Sequence, residues 1–316
     1  MTTLGSVTQL LEILCALAAA PAFLGWVNQC RAWLQNRTAP SVLQPYRALR
    51  KLLHKDAVLA ENASSLFRAA PYVVFGTMVA AAAIIPSMGT GLPLSMAADG
   101  IALVGLLATA RVFLALAAMD VGTAFGSLGA RREMMVGFLA EPALLMVLFV
   151  AALISQTTSL PLIAEGLTSR ALALYPSLAF TAVAFTMVLL AENARIPVDN
   201  PATHLELTMI HEAMLLEYSG RHLAIMEWAA ALKLFNYACI GFALFVPWGT
   251  STEAWGPVGL LLAVPLLAAK LVVAGAGLAL IETVSAKLRV FRAPEFLATA
   301  FLLAVLGLLV HLLLGA

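Results

Sequence analysis

LALYPSLAFTAVAFTMVLLA (Leu172–Ala191) and LAIMEWAAALKLFNYACIGFALFVPW (Leu223–Trp248) flank ENARIPVDNPATHLELTMIHEAMLLEYSGRH (Glu192–His222). The first flank has no charged residue, and the second has only Glu227 and Lys233. Crossing about 30 Å of hydrocarbon takes roughly 20 apolar residues in a helix. Apolar runs this long lack the alternation of a membrane β-strand, so they read as helices that satisfy their own backbone groups. The segment between them is of the opposite kind. It holds five of the seventeen acidic residues and three of the five histidines. A membrane protein that concentrates its ionisable groups in one loop is expected to use them.

The pattern extends outward in both directions. Apolar residues make up 62% of the 316 and charged ones 11%, against roughly a quarter charged in a soluble domain. Eight spans are predicted: Leu4–Val27, Pro71–Met88, Gly100–Met119, Pro142–Ala164, Leu172–Ala191, Leu223–Trp248, Pro257–Ile281 and Phe296–Leu314. The expected fold is an all-α integral membrane protein, one transmembrane domain over residues 1–316. Pro71, Pro142, Pro257 and Pro294 fall at or near predicted helix starts, where a missing N–H costs little. The first span carries Glu12 and Pro21 with no basic residue ahead of it, so it is not read as a cleaved signal.

Basic residues set the orientation. Fourteen of the eighteen Lys and Arg lie in the loops after spans one, three, five and seven, and the opposite side holds Arg170 alone. Arg111, Lys233 and Lys270 fall within spans. This asymmetry places both termini in the periplasm and residues of about 28–70, 120–141, 192–222 and 282–295 in cytoplasmic loops. The basic first loop reads as an inside-positive determinant, with a docking surface as the other reading. A net charge of +1 gives no sign of nucleic-acid binding.

Cys15, Cys30 and Cys239 are scattered with no C-x-x-C, so four cysteines of this chain do not hold an iron–sulfur cluster. Neither a P-loop nor a G-x-G-x-x-G is present, which leaves nucleotide binding without a motif. His211-Glu212 begins like a zinc-protease signature, but Leu215 stands where the second histidine belongs. No cofactor or metal is expected in this chain, and it is read as non-catalytic by itself.

Charges within spans usually face a bundle interior or a water-filled cavity. Glu141, directly before Pro142, reads either as an acid at a helix N-terminus or as a buried proton carrier. Asp120 and Arg111 share the third span and form a candidate neutralising pair. Glu227 and Lys233 are expected to pair with other helices, Lys270 and Glu282 being possible partners. In the central loop, Glu192 and Arg195 can pair on one helical turn. Pro197 and Pro201 break that helix, so Ile196–Ala202 should be extended or turning. Thr203 with Glu206 makes a capping-box start for a second helix carrying His204, Glu206, His211, Glu212 and Glu217. Such an array of carboxylates and imidazoles at a membrane boundary suits proton relay.

R-I-P-V-D (Arg195–Asp199), E-L (Glu206–Leu207) and E-Y-S-G (Glu217–Gly220) resemble the signature of the complex I subunit 1 family. V-L-Q-P-Y-R-A-L-R-K-L-L (Val42–Leu53), L-F-R-A-A-P-Y (Leu66–Tyr72) and G-A-R-R-E-M-M-V-G-F-L-A-E-P (Gly129–Pro142) match further segments in order. Within the family, the sequence is most similar to the branch found in membrane-bound group 4 nickel–iron hydrogenases of the formate hydrogenlyase and hydrogenase-4 types. That likeness rests on A-R-V-F-L-A-L (Ala110–Leu116), M-D-V-G-T-A-F (Met119–Phe125) and P-V-D-N-P-A-T-H-L-E-L-T-M-I-H-E (Pro197–Glu212). Ala202 and His204 stand where the quinone-reducing branch places carboxylates.

The resemblance implies a subunit of the bacterial or archaeal cytoplasmic membrane that anchors a soluble redox module and couples it to proton or sodium movement. The nickel–iron centre and iron–sulfur clusters would belong to partners: hydrogenase-like large and small subunits and an iron–sulfur subunit, with antiporter-like membrane subunits alongside. Glu141 would be the buried carboxylate of an acidic path. Asp199, Glu206 and Glu217 would form its mouth, with Arg195 holding their charges in register. Asp120, Glu212 and His211 are further proton-path candidates, and Glu192 a supporting charge. Arg37, Arg47, Tyr218 and Arg221 are candidates for docking the redox module. Two other readings stand beside this one: a quinone-binding subunit of an NADH-quinone oxidoreductase, and a stand-alone transporter or structural anchor.

Overall fold

The computed structural model describes residues 3–94, 98–169, 176–199, 209–250 and 256–314. Its elements there are helices, and an isolated bridge joins Asp99 and Ser159. Seven helices are long and apolar enough to cross a membrane: α1 (Thr3–Leu34), α3 (Ser65–Ile84), α4 (Gly100–Asp120), α5 (Ala124–Ser155), α9 (Gly220–Phe245), α10 (Gly256–Val284) and α11 (Ala293–Leu314). A shorter apolar helix, α7 (Pro176–Glu192), stands at the fifth predicted span. Three helices lie between these: α2 (Gln44–Leu53), α6 (Leu160–Ser169) and α8 (His211–Leu215). The protein is a multi-pass membrane protein, and each predicted span has its helix.

The largest correction concerns the fourth span, expected over Pro142–Ala164. That apolar run holds parts of two helices. Helix α5 begins at Ala124, where Thr123 Oγ1 accepts the N–H of Gly126, and ends at Gln156 in the left-handed region with φ +58°. The polar run Q-T-T-S (Gln156–Ser159) breaks the chain before α6, because its side chains bond the local backbone: Gln156 to Leu153 O, Thr157 to the N–H of Ser159. Counting apolar residues does not register that break. Pro142 therefore sits inside α5, and Glu141 is not at a helix N-terminus. Pro71 likewise lies inside α3, which starts at the Ser64 cap. An interior proline is tolerated in a membrane helix where neighbouring groups satisfy the freed carbonyl.

Helix α9 is the most buried of the long helices, and α10 and α11 are the least. α9 packs on α1, α2, α3 and α7. α4 packs between α3 and α5, α11 against α5 and α7, and α10 mainly against α1. The outward faces of α10 and α11 expose Leu261, Val273, Leu306 and Leu313, as expected of surfaces meeting lipid. The amphipathic α2 buries Leu49 while Arg47 and Arg50 stay exposed. Burial pushes the Tyr46 hydroxyl above the usual phenol range, and that hydroxyl donates to Ala18 O of α1.

E-Y-S-G (Glu217–Gly220) clamps the first loop to the start of α9. Tyr218 stacks on Phe67, ring centroids 4.1 Å apart, and its hydroxyl donates to Phe67 O at 3.0 Å. Burial, with Asp120 nearby, holds that hydroxyl above its ordinary pKa and therefore protonated. Ser219 Oγ accepts from Val58 N–H and donates to Val58 O. Gly220 has φ +51°, and a Cβ there would lie 2.6 Å from Asp56 O. Tyr218 is thus buried, which corrects its expected place on a docking surface.

Tyr218→Phe is expected to lower stability by about 1 kcal/mol, the net worth of one hydrogen bond. Gly220→Ala should be the more damaging change, since it adds both backbone strain and a clash. Thermal unfolding of the two variants in detergent orders them.

Candidate functional site

Five ionisable side chains from four helices meet inside the bundle. Arg111 of α4, 3% exposed in its side chain, is at the centre. Its Nη1 pairs with Glu141 and its Nη2 with Glu192, while Nε lies 3.5 Å from Glu133. Lys233 of α9 reaches the second oxygen of Glu192 at 2.9 Å. Tyr237, one turn further along α9, lies beside Glu192.

The local sequence explains how α5 receives Arg111. Glu133, Gly137 and Glu141 follow at intervals of four and line one face of the helix. A Cβ on Gly137 would fall on the guanidinium, with Arg111 Cδ 2.7 Å away. The glycine is a notch between two carboxylates in which the arginine lies.

The cluster holds three carboxylates and two cations, so with every group ionised it carries one negative charge too many. Buried charge in a membrane is costly unless paired. One extra proton would balance the set. Among the three acids Glu141 is the reachable one, with 32% of its side chain exposed against 1% for Glu192. A cavity of about 30 Å³, room for a single water, is lined by Arg111, Glu133 and Lys233 together with His211 and Met78. It joins the cluster to the start of α8.

A second network lies nearby. Arg195 and Arg31 share Glu282 of α10, at 3.2 and 3.4 Å. Burial pushes the Arg195 guanidinium below its ordinary pKa, and the Glu282 carboxylate opposes that shift. Two cations on one carboxylate leave this network one charge positive.

The predicted pairings change accordingly. Glu192 and Arg195 do not pair. Helix α7 ends at Glu192, Ala194 turns the chain with φ +50°, and Arg195 N–H closes back on Leu190 O. Helical spacing no longer applies, and the two side chains enter different networks. Arg195 is engaged with Glu282, while Glu206 of the expected acidic mouth lies outside the described residues. Arg111 does not pair with Asp120, which instead accepts the N–H of Ser64 at 2.8 Å and ties α4 to the start of α3. Asp120 is nine residues from Arg111, about 13 Å along the helix at 1.5 Å per residue. Lys270 donates to Val246 O, and Glu282 pairs with arginines, so neither serves Glu227 or Lys233.

Asp199 is buried and accepts the N–H groups of Ile210 and His211. His204 and Glu206 lie outside the described residues. His211 and Glu212 belong to the five-residue α8, while Glu217 follows it in a turn, so the three do not share one continuous helix. Ile196–Asp199 turns as expected. Arg37, Arg47 and Arg221 are exposed. Glu133 and Gly137 are the residues that sequence reading passed over. Their signal was the four-residue spacing that puts a small residue between two acids.

An apolar cavity of about 280 Å³ lies on the other side of Tyr237, between Phe23 of α1, Phe185 of α7, Phe242 of α9 and Leu278 of α10. Among the described residues no three His, Cys, Asp or Glu side chains converge as metal ligands.

The family model described as NADH dehydrogenase matches residues 8–313 of the chain. Formate hydrogenlyase subunit 4 of Escherichia coli (strain K12) is 35% identical over 292 residues, covering 92% of this chain and 94% of its own length. Hydrogenase-4 component C of the same organism is 35% identical over 238 residues, 75% of this chain and 74% of that protein. A chain of the membrane-bound sulfane sulfur reductase, an archaeal respiratory membrane complex, shares the fold with a TM-score of 0.82. That match covers 96% of this chain and 98% of the other at 19% identity.

Arg111→Met is expected to destabilise the protein by roughly 3–5 kcal/mol, because it leaves buried carboxylates without their counter-charge. Adding Glu192→Gln to that variant should recover part of the loss. Gly137→Ala should act in the same direction by displacing the guanidinium. Thermal unfolding of the four proteins in detergent checks the order.

Proposed function

Because the chain belongs to the NADH dehydrogenase family of complex I subunit 1-like membrane proteins, we propose that it couples a redox module to ion movement within a membrane-bound hydrogenase complex. The complex is of the formate hydrogenlyase or hydrogenase-4 type, and the chain is an integral subunit without catalytic chemistry of its own. The nickel–iron centre and iron–sulfur clusters sit in hydrogenase-like large and small subunits and an iron–sulfur subunit. Antiporter-like subunits lie beside it in the bacterial or archaeal cytoplasmic membrane. The basic loops face the cytoplasm, where the exposed Arg37, Arg47 and Arg221 meet the redox module.

One observation carries the coupling role: a buried ion cluster with one carboxylate in excess, joined by a water-sized cavity to His211 at the edge of the charged loop. A proton enters near His211 and is held among Glu133, Glu141 and Glu192. It leaves when a charge change in the redox module alters the balance. Glu141, the most exposed of the three, is the transfer point toward a neighbouring subunit. Glu212, Glu217 and Glu206 gather protons at the loop. Asp199 shapes the entrance through its hold on α8, and Asp120 does the same by anchoring α4 to α3.

A quinone-binding role is the second reading, and the apolar cavity between Phe23 and Phe242 favours it. At about 280 Å³ it is at the small end for a ligand pocket, which usually spans roughly 300–1,000 Å³. A quinone analogue that labels Phe23 or Phe242 in the intact complex would support this reading over the first.

Glu141→Gln in the assembled complex, with ion translocation and hydrogen turnover measured separately, tests the leading reading. Translocation is expected to fall by about 100-fold, as befits loss of a positioned proton carrier. Translocation at the wild-type rate would remove Glu141 from the path.

A further inference from the structure

The coupling cluster leaves one buried carboxylate unused. Glu12 of α1 is 1% exposed. Its Oε1 accepts the N–H groups of Met88 at 2.7 Å and Gly89 at 2.8 Å. Those residues follow the C-terminal end of α3, at the opposite end of the bundle from the Ser64–Asp120 contact. The Ser87 side chain also lies against the carboxylate, yet Oε2 makes no hydrogen bond of ordinary geometry, and no cation among the described residues lies within ion-pair distance. One turn before it, Gln9 donates to Ala83 O at 2.9 Å. A carboxylate buried without a counter-charge is costly, and such groups rest as neutral acids.

A second orphan lies one turn along α9 from Lys233 of the cluster. Asn236 of α9 is also 1% exposed. Its Nδ2 donates to Met78 O at 2.9 Å, while its Oδ1 has no partner. Asn236 is three residues from Lys233 and so one turn further along α9. Met78, which holds it, also lines the water-sized cavity shared by Arg111, Glu133, Lys233 and His211. Cys239, one turn beyond Asn236, lies within electrostatic reach of Glu12. Buried polar atoms are normally satisfied by protein or by ordered water. The two orphans are of complementary kind, since a protonated Oε2 donates and Oδ1 accepts, and ordered water can join them. Cys15 of α1, Cys239 of α9 and Lys270 of α10, near Cys239, are the other titratable groups facing this region. The far part of α3 and the segment to Leu94 contribute none.

We propose that Asn236 and Glu12 form a transmembrane limb that carries protons from the Lys233 side of the ion cluster to the opposite membrane face, with Glu12 as the proton-holding group at its far end. This rests on the proton-relay reading of the cluster. The step is simple to balance. A proton from the cluster passes through water held at Asn236 to the Glu12 carboxylate, which becomes the neutral acid. The same O–H bond then breaks and the proton leaves past Met88–Thr90. No electron moves and no co-reactant is needed.

A purely structural Glu12 would serve only through Oε1, as the acceptor that holds Met88 and Gly89. A glutamine keeps that acceptor in its amide oxygen and removes the exchangeable proton, so the conservative substitution separates the two roles. In the assembled complex reconstituted in liposomes, Glu12→Gln should reduce proton transfer across the membrane by about 100-fold, and Glu12→Asp should retain part of it. Asn236→Leu should slow transfer while leaving Glu12 in place. It keeps the test open if Glu12→Gln fails to assemble. Wild-type transfer in Glu12→Gln or in Asn236→Leu, beside a Glu141→Gln complex that fails, overturns the limb and leaves the cluster reading standing. Wild-type transfer in all of the variants, Glu141→Gln included, overturns the relay reading and the limb with it.

Discussion

Arg111 is the interaction on which the bundle interior depends. A guanidinium has five N–H donors in a planar fork and stays charged in any protein environment. It can therefore serve carboxylates on different helices at once, which a lysine ammonium on one flexible stem does less well. Here it ties α4 to Glu133 and Glu141 of α5 and to Glu192 of α7, and Lys233 extends the tie to α9. Helices in lipid gain little from apolar contact alone, so buried polar contacts and close packing decide how they sit. The arrangement depends equally on the absence of a side chain at Gly137, where the arginine lies between two acids of one helix face.

Charge is divided between two networks of opposite sign. The Arg111 cluster has an extra carboxylate, and the Glu282 network has an extra cation. The division is made within four residues of chain, where the turn at Ala194 sends Glu192 one way and Arg195 the other. Arg111 and Glu192 of the first network and Arg195 and Glu282 of the second are buried, where an added charge acts more strongly than it does in water.

Several loop residues that match the family signature have structural tasks. Asp199 caps the chain entering α8, Tyr218 stacks on Phe67, and Ser219 bonds both backbone groups of Val58. Of the loop acids in the described residues, Glu192 alone enters the ion cluster. The described part of the loop is thus fastened to the first loop and to α5, where Arg132 donates to Met209 O.

The sequence by itself determined the membrane class, the all-helical fold and the family. These follow from run length and from ordered motifs such as R-I-P-V-D, all local or additive properties of the chain. It also marked Glu141, Arg111 and Lys233 as charges needing partners, because a charge in lipid must be paired. Which partners they have was decided only by the tertiary structure. Glu141 and Glu192 are 51 residues apart in the chain and meet on one guanidinium. The fourth span was misplaced because hydropathy counts apolar side chains, whereas the polar run at Gln156–Ser159 ends a helix through hydrogen bonds. Glu133 and Gly137 gained their meaning from a neighbouring helix that presents an arginine to them, and no local reading of α5 contains that helix.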